Sequence, residues 1–320
     1  MPLQFARREF LAGMAAMTAA KAASRLVSVS DHSSPFRVSV INDEISQDFG
    51  HACEVASREF GIGWIELRGM WKKNILKLDD KEVAEARRIL EKYQLKVTDI
   101  ASPLFKVDWP GAPKSKFSEA KSFGADFTLA QQDEVLERAM DLANAFQTDR
   151  VRCFDFWRLE DQVPYRAAIN DKLRDAAAKA AKKGIILVLE NESACNTATA
   201  AEAVKVLSAV QSPSLMLNWD PGNAAASGEI PYPDGYNLLP KDRIGHCHCK
   251  DVVKKGRKSD WAPMGGGIID WAGQFKALKH DGYHFAVSLE THWSGGGSPE
   301  ECSRQSWAGM KKLLQQADAT

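Results

Sequence analysis

Ile185-Ile186-Leu187-Val188-Leu189-Glu190, Leu215-Met216-Leu217-Asn218-Trp219-Asp220, Ile244-Gly245-His246-Cys247-His248 and Ala286-Val287-Ser288-Leu289-Glu290 are four short runs, each closed by a carboxylate or an imidazole. A strand of this kind buries its apolar body and presents one polar group at its mouth. The closing residues stand 30, 28 and 42 positions apart, which leaves room for one crossover helix between successive strands. Parallel pairing then places all four on one rim. Three carboxylates and one imidazole make a site of hard oxygen donors with a single nitrogen. That set suits one divalent cation, Mn2+ or Mg2+ first, with Co2+ and Zn2+ as further candidates, and differs from the sulfur-rich sites of structural zinc.

The same alternation runs through the chain from residue 36. Strand-like segments rich in aliphatic and β-branched residues occupy 36–45, 64–68, 96–101, 150–156, 185–192, 215–220, 243–251 and 283–292. Helical spacing fills the intervals. Val83, Ala86, Ile89 and Leu90 share one face of a helix over 79–93, and Val135, Ala139, Leu142, Ala143 and Phe146 share one face of the next. Segment 165–183 is long, alanine-rich and stopped by Gly184. Eight β-then-α units in order predict an α/β fold, a (β/α)8 TIM barrel spanning 36–316 as a single domain. A doubly wound open sheet is the alternative, but Asn42-Asp43-Glu44-Ile45 stands where its glycine fingerprint belongs. Two long segments, 105–131 and 224–241, are rich in Pro, Gly, Ser and aromatic residues and are candidates for a lid.

With 42 basic and 42 acidic residues the formal charge is zero, and the electrostatic footprint of a nucleic-acid binder is missing. A small neutral or weakly charged substrate is expected. Residues 1–30 read as an export signal and linker: Arg7-Arg8-Glu9-Phe10-Leu11 leads into a mildly apolar stretch too short and too alanine-rich for a stable membrane span, and Ala20-Lys21-Ala22 offers a small-residue cleavage site. The twin-arginine export machinery is therefore an expected partner, and a periplasmic or otherwise exported location in a bacterium follows. The six cysteines are scattered without a C-x-x-C pair. Cys247 and Cys249 alternate with His246 and His248, so if the histidines face the barrel interior the cysteines pack against the helix layer. A homo-oligomer is left open, because no interface is legible.

Each candidate residue also has a plain structural reading. Glu190 can cap a helix, Asp220 can begin the Asp220-Pro221-Gly222-Asn223 turn, His248 can be a satisfied core histidine, and Glu290 can be structural. Their arrival on four consecutive strands favours a site. Strand parity groups Glu192 with Glu190, His246 and Lys250 with His248, and His292 with Glu290. Lys250 is a candidate proton donor or sugar-oxygen partner, or else a solvated lysine. Arg152 either meets substrate or pairs with Glu190 or Asp155. Glu66, Glu192, Asn223, His246, Trp109, Trp261 and His292 are further candidates to line a pocket.

Together, Leu189-Glu190-Asn191, Asn218-Trp219-Asp220-Pro221-Gly222-Asn223, Gly245-His246-Cys247-His248-Cys249-Lys250-Asp251, Gly265-Gly266-Gly267-Ile268-Ile269-Asp270-Trp271 and Leu289-Glu290-Thr291 resemble the sugar isomerase and epimerase superfamily of xylose-isomerase-like barrels. The resemblance implies a divalent cation held by Glu190, Asp220, His248 and Glu290 and gripping vicinal oxygens of a carbohydrate. It implies Glu190 and Glu290 as the groups that take and return a proton through an enediolate, as in the related ketose 3-epimerases. The chain departs from those enzymes where they carry a histidine, an arginine and a glutamate; here stand Asn223, Lys254 and Asn196. A metal-dependent isomerase or epimerase of a sugar or keto-sugar is the expected activity. The alternatives are a lyase or dehydratase of a 3-keto-glycoside or inosose, and a non-catalytic carbohydrate-binding barrel. The three-zinc endonuclease branch is excluded, since no histidine lies between His51 and His246.

Overall fold

The computed structural model describes residues 34–118, 127–256 and 258–320. Eight strands form its centre: β1 (Arg37–Val40), β2 (Trp64–Leu67), β3 (Lys96–Leu104), β4 (Arg150–Cys153), β5 (Ile186–Glu190), β6 (Leu215–Trp219), β7 (Ile244–Cys249) and β8 (Ala286–Leu289). They pair in parallel from β2 through β8, and β8 pairs with β1. A bridge between Ile41 and Glu66 brings β1 beside β2 and nearly closes the barrel. The register sets Asn218 opposite Glu190 and His246, and Ser288 opposite His248, so the ends of β5 to β8 share one rim.

Between the strands run α1 (Phe49–Glu54), α2 (Asp80–Tyr93), α3 (Gln132–Ala145), α4 (Arg166–Lys182), α5 (Ala200–Ala209), α6 (Pro221–Ala226), α7 (Trp271–His280) and α8 (Pro299–Gln316). The periodic apolar residues predicted for α3 are all buried. At the start of α2 the Asp79 carboxylate accepts the Lys81 and Glu82 N–H groups, and Glu82 accepts the Asp79 N–H in return. Gly184 follows α4 with φ +70°, a left-handed turn that a Cβ would strain. Cys247 and Cys249 are buried in the main hydrophobic core, and all six cysteines are free thiols.

Two expectations need correction. The strand-like run 36–45 stops at Val40, and Asn42–Ile45 is a single helical turn. Asn42 donates to the Gly69 carbonyl and accepts the Arg68 N–H at 3.0 Å, so this side chain bends the backbone toward the end of β2. The proposed lid at 224–241 is a packed crossover. Tyr236 and Leu239 are buried, and the Tyr236 hydroxyl donates to Asp281, just past the C-terminal end of α7. Because barrel helices run opposite to the strands, that end lies far from the rim. Of the other long segment, residues 119–126 lie outside the described residues; Phe105 packs on Phe156 and Trp109 meets the same ring edge-on. The export segment also lies outside them. Among the described residues no helix is long and apolar enough to cross a membrane.

Asp79→Ala removes the α2 cap and is expected to lower stability by about 1 kcal/mol, read as a lower urea midpoint with an unchanged slope.

Candidate active site

Glu190 is the last residue of β5, Asp220 and Glu290 each follow a strand directly, and His248 lies near the end of β7. One ligand atom from each comes within 4.8 Å of the others. His248 Nδ1 is the hub, 3.4 Å from Glu190 Oε1, 3.7 Å from Asp220 Oδ2 and 3.3 Å from Glu290 Oε2. All four side chains are buried.

Local structure serves this convergence. Asp220 divides its two oxygens: Oδ1 caps α6 by accepting the Asn223 N–H at 2.8 Å, and Oδ2 faces the centre. The turn reading and the site reading of Asp220 therefore both hold. Gly222 admits the Lys250 side chain, since a Cβ there would lie 2.5 Å from Lys250 Cγ. The Lys250 carbonyl accepts the Trp271 indole N–H at 3.2 Å. Next along the chain, Asp251 accepts backbone N–H groups from Gly265, Gly267 and Ile269. This ties the glycine turn to the hairpin of Asp251–Lys255 and Lys258–Ala262, which carries Trp261.

Cations stand around the acidic centre. Lys250 Nζ lies 2.8 Å from Asp220 Oδ2 and 2.5 Å from Glu290 Oε2, almost without exposure. Arg152 Nη1 is 3.1 Å from Glu190 Oε2, with its other nitrogens on the Ser102 and Ala101 carbonyls. Arg152 thus pairs with Glu190, whereas Asp155 binds Arg166 and Thr197. Arg68 Nη1 is 3.1 Å from Glu290 Oε1 and also joins Asp43 and Glu44. Burial pushes the Glu190 carboxyl up, but Arg152 and His248 outweigh it and hold it at about 2. Glu290 is likewise raised by burial, yet His292, Lys250 and His248 keep it well below the usual carboxylate range. Burial lowers the Lys250 ammonium, and Asp220 and Glu290 overcome this to raise it above its ordinary value. Both glutamates are accordingly carboxylates and Lys250 a cation.

The remaining candidates separate by depth. Glu192 binds Lys106 Nζ at 2.5 Å, Trp261 is half-buried with its ring 5.1 Å from Lys250 Nζ, and His292 Nε2 is 3.2 Å from Glu290 Oε1. These three stand at the mouth. Glu66 and His246, expected to line a sugar pocket, have no exposed surface and bond to each other at 3.1 Å within the barrel, with His246 Nδ1 left without a hydrogen-bond partner. Asn223 is also buried, donating to Glu190 Oε1 and the Asn191 carbonyl. Asn196 braces the 155–159 segment through the Asp155 carbonyl and the Leu159 N–H, and Lys254 donates to the Ala225 carbonyl. Sequence reasoning missed Arg68, Asp43, Glu44 and Lys106. The strand-end rule applied to β1 and β2 would have found the first three.

The donor set fits a divalent cation. His248 Nδ1, Glu190 Oε2 and Asp220 Oδ2 are buried without an aligned hydrogen bond; Glu190 Oε2 faces the Arg152 cation, and Asp220 Oδ2 faces Lys250 and the His248 ring. An oxygen-rich tetrad with one imidazole nitrogen is what Mn2+, Mg2+ or Zn2+ would complete.

A barrel of eight parallel strands with this tetrad on its rim defines a class, and the profile of the xylose isomerase-like TIM barrel family matches residues 55–313. The chain belongs to that family. No curated protein matches it. Among solved structures it is similar to the probable 3-DHS dehydratase AsbF of Bacillus anthracis, at 20% identity over 87% of this chain and 99% of that one, with a TM-score of 0.66. It is similar to the IolI protein with a binding zinc atom, at 16% identity over 88% and 98%, with a TM-score of 0.68. The D-allulose 3-epimerase of Methylomonas sp. in complex with D-allulose gives 17% identity over 88% and 98%, with a TM-score of 0.63. Identities this low establish the common fold.

Lys250→Met leaves Asp220 and Glu290 facing each other in a dry site. The metal-free protein is expected to lose about 3 kcal/mol, measured by equilibrium unfolding in the presence of a chelator.

Proposed function

We propose that this protein is a metal-dependent isomerase or epimerase of a sugar or keto-sugar, working through an enediolate. The observation that carries the reading is the approach of two ionised glutamates, Glu190 from β5 and Glu290 from β8, to one buried four-ligand centre. A divalent cation there, Mn2+ or Mg2+ by the donor set, supplies a Lewis acid for the substrate carbonyl. Glu290 takes the proton from the carbon next to the carbonyl, and the C–H electron pair moves into the enediolate. Glu190, from a strand nearly opposite, first takes a proton from solvent and delivers it to the other face, and Glu290 releases its own proton to solvent, which restores both carboxylates. Return to the same carbon inverts it, and return to the neighbouring carbon, with a hydroxyl proton moved between the oxygens, exchanges ketose and aldose. Arg68 and Arg152 orient the outer oxygens of the two glutamates. Trp261, His292 and Glu192 line the mouth where the carbohydrate enters.

A second reading is supported by Asn223, Asn196 and Lys254. These positions differ from the ketose 3-epimerases, and all three side chains are engaged within the protein, so none is free to grip the far end of a simple ketose. In a lyase acting on a 3-keto-glycoside or inosose, the enediolate pair expels the β-substituent, and Lys250, beside Glu290, donates the proton that leaves with it. The export reading of Arg7-Arg8 belongs to the same proposal, placing the substrate outside the cytoplasm.

Proton NMR in D2O of the Mg2+-loaded protein with a panel of ketoses and 3-keto-glycosides tests the chemistry. Deuterium entering a retained carbon skeleton, reduced about 100-fold or more in Glu290→Gln, is the expected outcome. Release of an aglycone or water assigns the lyase, and a lack of Glu290-dependent exchange with every substrate rejects both. Separately, replacing Arg7 and Arg8 by lysine is expected to hold the protein in the cytoplasm on cell fractionation; unchanged export would reject the twin-arginine route.

A further inference from the structure

Beneath the tetrad the barrel contains a second polar layer, Glu66, Asp99 and His246, all without exposed surface. The chemistry proposed above uses none of them. Burying ionisable groups costs several kcal/mol each unless they are well paired, so this layer needs a task. Glu66 spans two histidines of β7: its Oε1 is 3.0 Å from His248 Nε2 and its Oε2 is 3.1 Å from His246 Nε2. His246 Nδ1 faces Asp99 Oδ1 at 3.7 Å, and Asp99 accepts the Thr98 hydroxyl at 3.1 Å.

This arrangement sorts the two nitrogens of His248. When His248 ligates a cation it gives up a proton and is neutral, with one N–H and one lone pair, and an ionised carboxylate only accepts. The nitrogen facing Glu66 must therefore carry the hydrogen, which leaves the Nδ1 lone pair aimed at the space between Glu190, Asp220 and Glu290. The Asn218 amide lies 3.2 Å from the same Nε2, and its oxygen has no partner as oriented. Turned to place that oxygen toward the ring, it accepts from the same N–H.

We infer that Glu66 is a positioning residue for the metal ligand: it fixes His248 with its hydrogen on Nε2 and its lone pair on Nδ1, and His246 holds Glu66 in place. The inference rests on the metal reading of the tetrad. Glu66, His246 and His248 could themselves gather around a cation, but a cation there would need the His248 lone pair on Nε2 and so remove it from the tetrad. Three carboxylates above against one below decide for the upper position. Carboxylate partners of metal-bound histidines commonly account for 10- to 100-fold in affinity.

Two measurements test this without activity. In 15N-histidine protein loaded with Zn2+, long-range proton–nitrogen NMR should place the His248 hydrogen on Nε2 and the metal on Nδ1; the reverse assignment overturns the inference. In Glu66→Gln, Mn2+ affinity by calorimetry should fall about 10- to 100-fold while the Tm of the metal-free protein stays within a few degrees of wild type. Undiminished affinity, or a loss that merely follows a collapse in Tm, overturns it. If Glu66→Gln does not fold, the wild-type NMR assignment decides alone. Wild-type protein that binds neither Mn2+ nor Zn2+ overturns the metal reading itself, an outcome distinct from tight binding that ignores Glu66.

Discussion

Like charge in a dry space is the constraint on which the rest of this structure depends. Two carboxylates about 4 Å apart repel by about 4 kcal/mol at an effective dielectric of 20, and here Glu190, Asp220 and Glu290 converge on a single imidazole nitrogen. The chain compensates with cations set behind or between the acids: Arg152 on Glu190, Arg68 on Glu290, and Lys250 between Asp220 and Glu290. Each is anchored in turn. Backbone carbonyls hold Arg152, Asp43 and Glu44 hold Arg68, and the gap at Gly222 admits Lys250.

The barrel makes this possible because its strands are parallel and bring their C-terminal ends to one rim. Tethers beyond the strand ends complete the rim: Asn42 joins the first two strand ends, Asn191 accepts the Asp220 N–H, and Asp251 gathers the glycine turn beneath the hairpin. Every one of these is a polar side chain satisfying backbone groups that the end of a strand leaves unpaired. The scaffold is thus built from the same residue types as the site, which is why spacing alone does not distinguish Asn191 from Glu190.

Proteins that share this fold include one named as a probable dehydratase and one named as an epimerase, and this protein's individuality lies in what surrounds the tetrad. Asn223 and Asn196 face inward to backbone and carboxylate partners, and the exposed Lys254 donates to the Ala225 carbonyl. The mouth is left to Trp261, His292 and the Lys106–Glu192 pair. Under the proposed function, a substrate would meet chiefly aromatic surface and charges already paired, an environment suited to hydroxyl groups.

The alternation of apolar runs with helical spacing was legible in the chain and sufficed for the barrel, because burying one face of a helix and both faces of a parallel strand imposes periodicity on the residues themselves. The tetrad was legible for the same reason, since a polar residue closing an apolar strand stands out against its neighbours. Arg68, Asp43 and Glu44 were not singled out, because their importance comes from meeting Glu290 more than two hundred positions away. Depth was also hidden: His246 and His248 have the same strand parity, yet one bonds only within the core and the other presents a nitrogen to the site. Sequence by itself determined which residues lie on strands and which way they alternate, since both follow from local geometry. Only the tertiary structure decided which charges compensate one another and which polar groups remain open to a ligand, since those depend on distances between strands far apart in the chain.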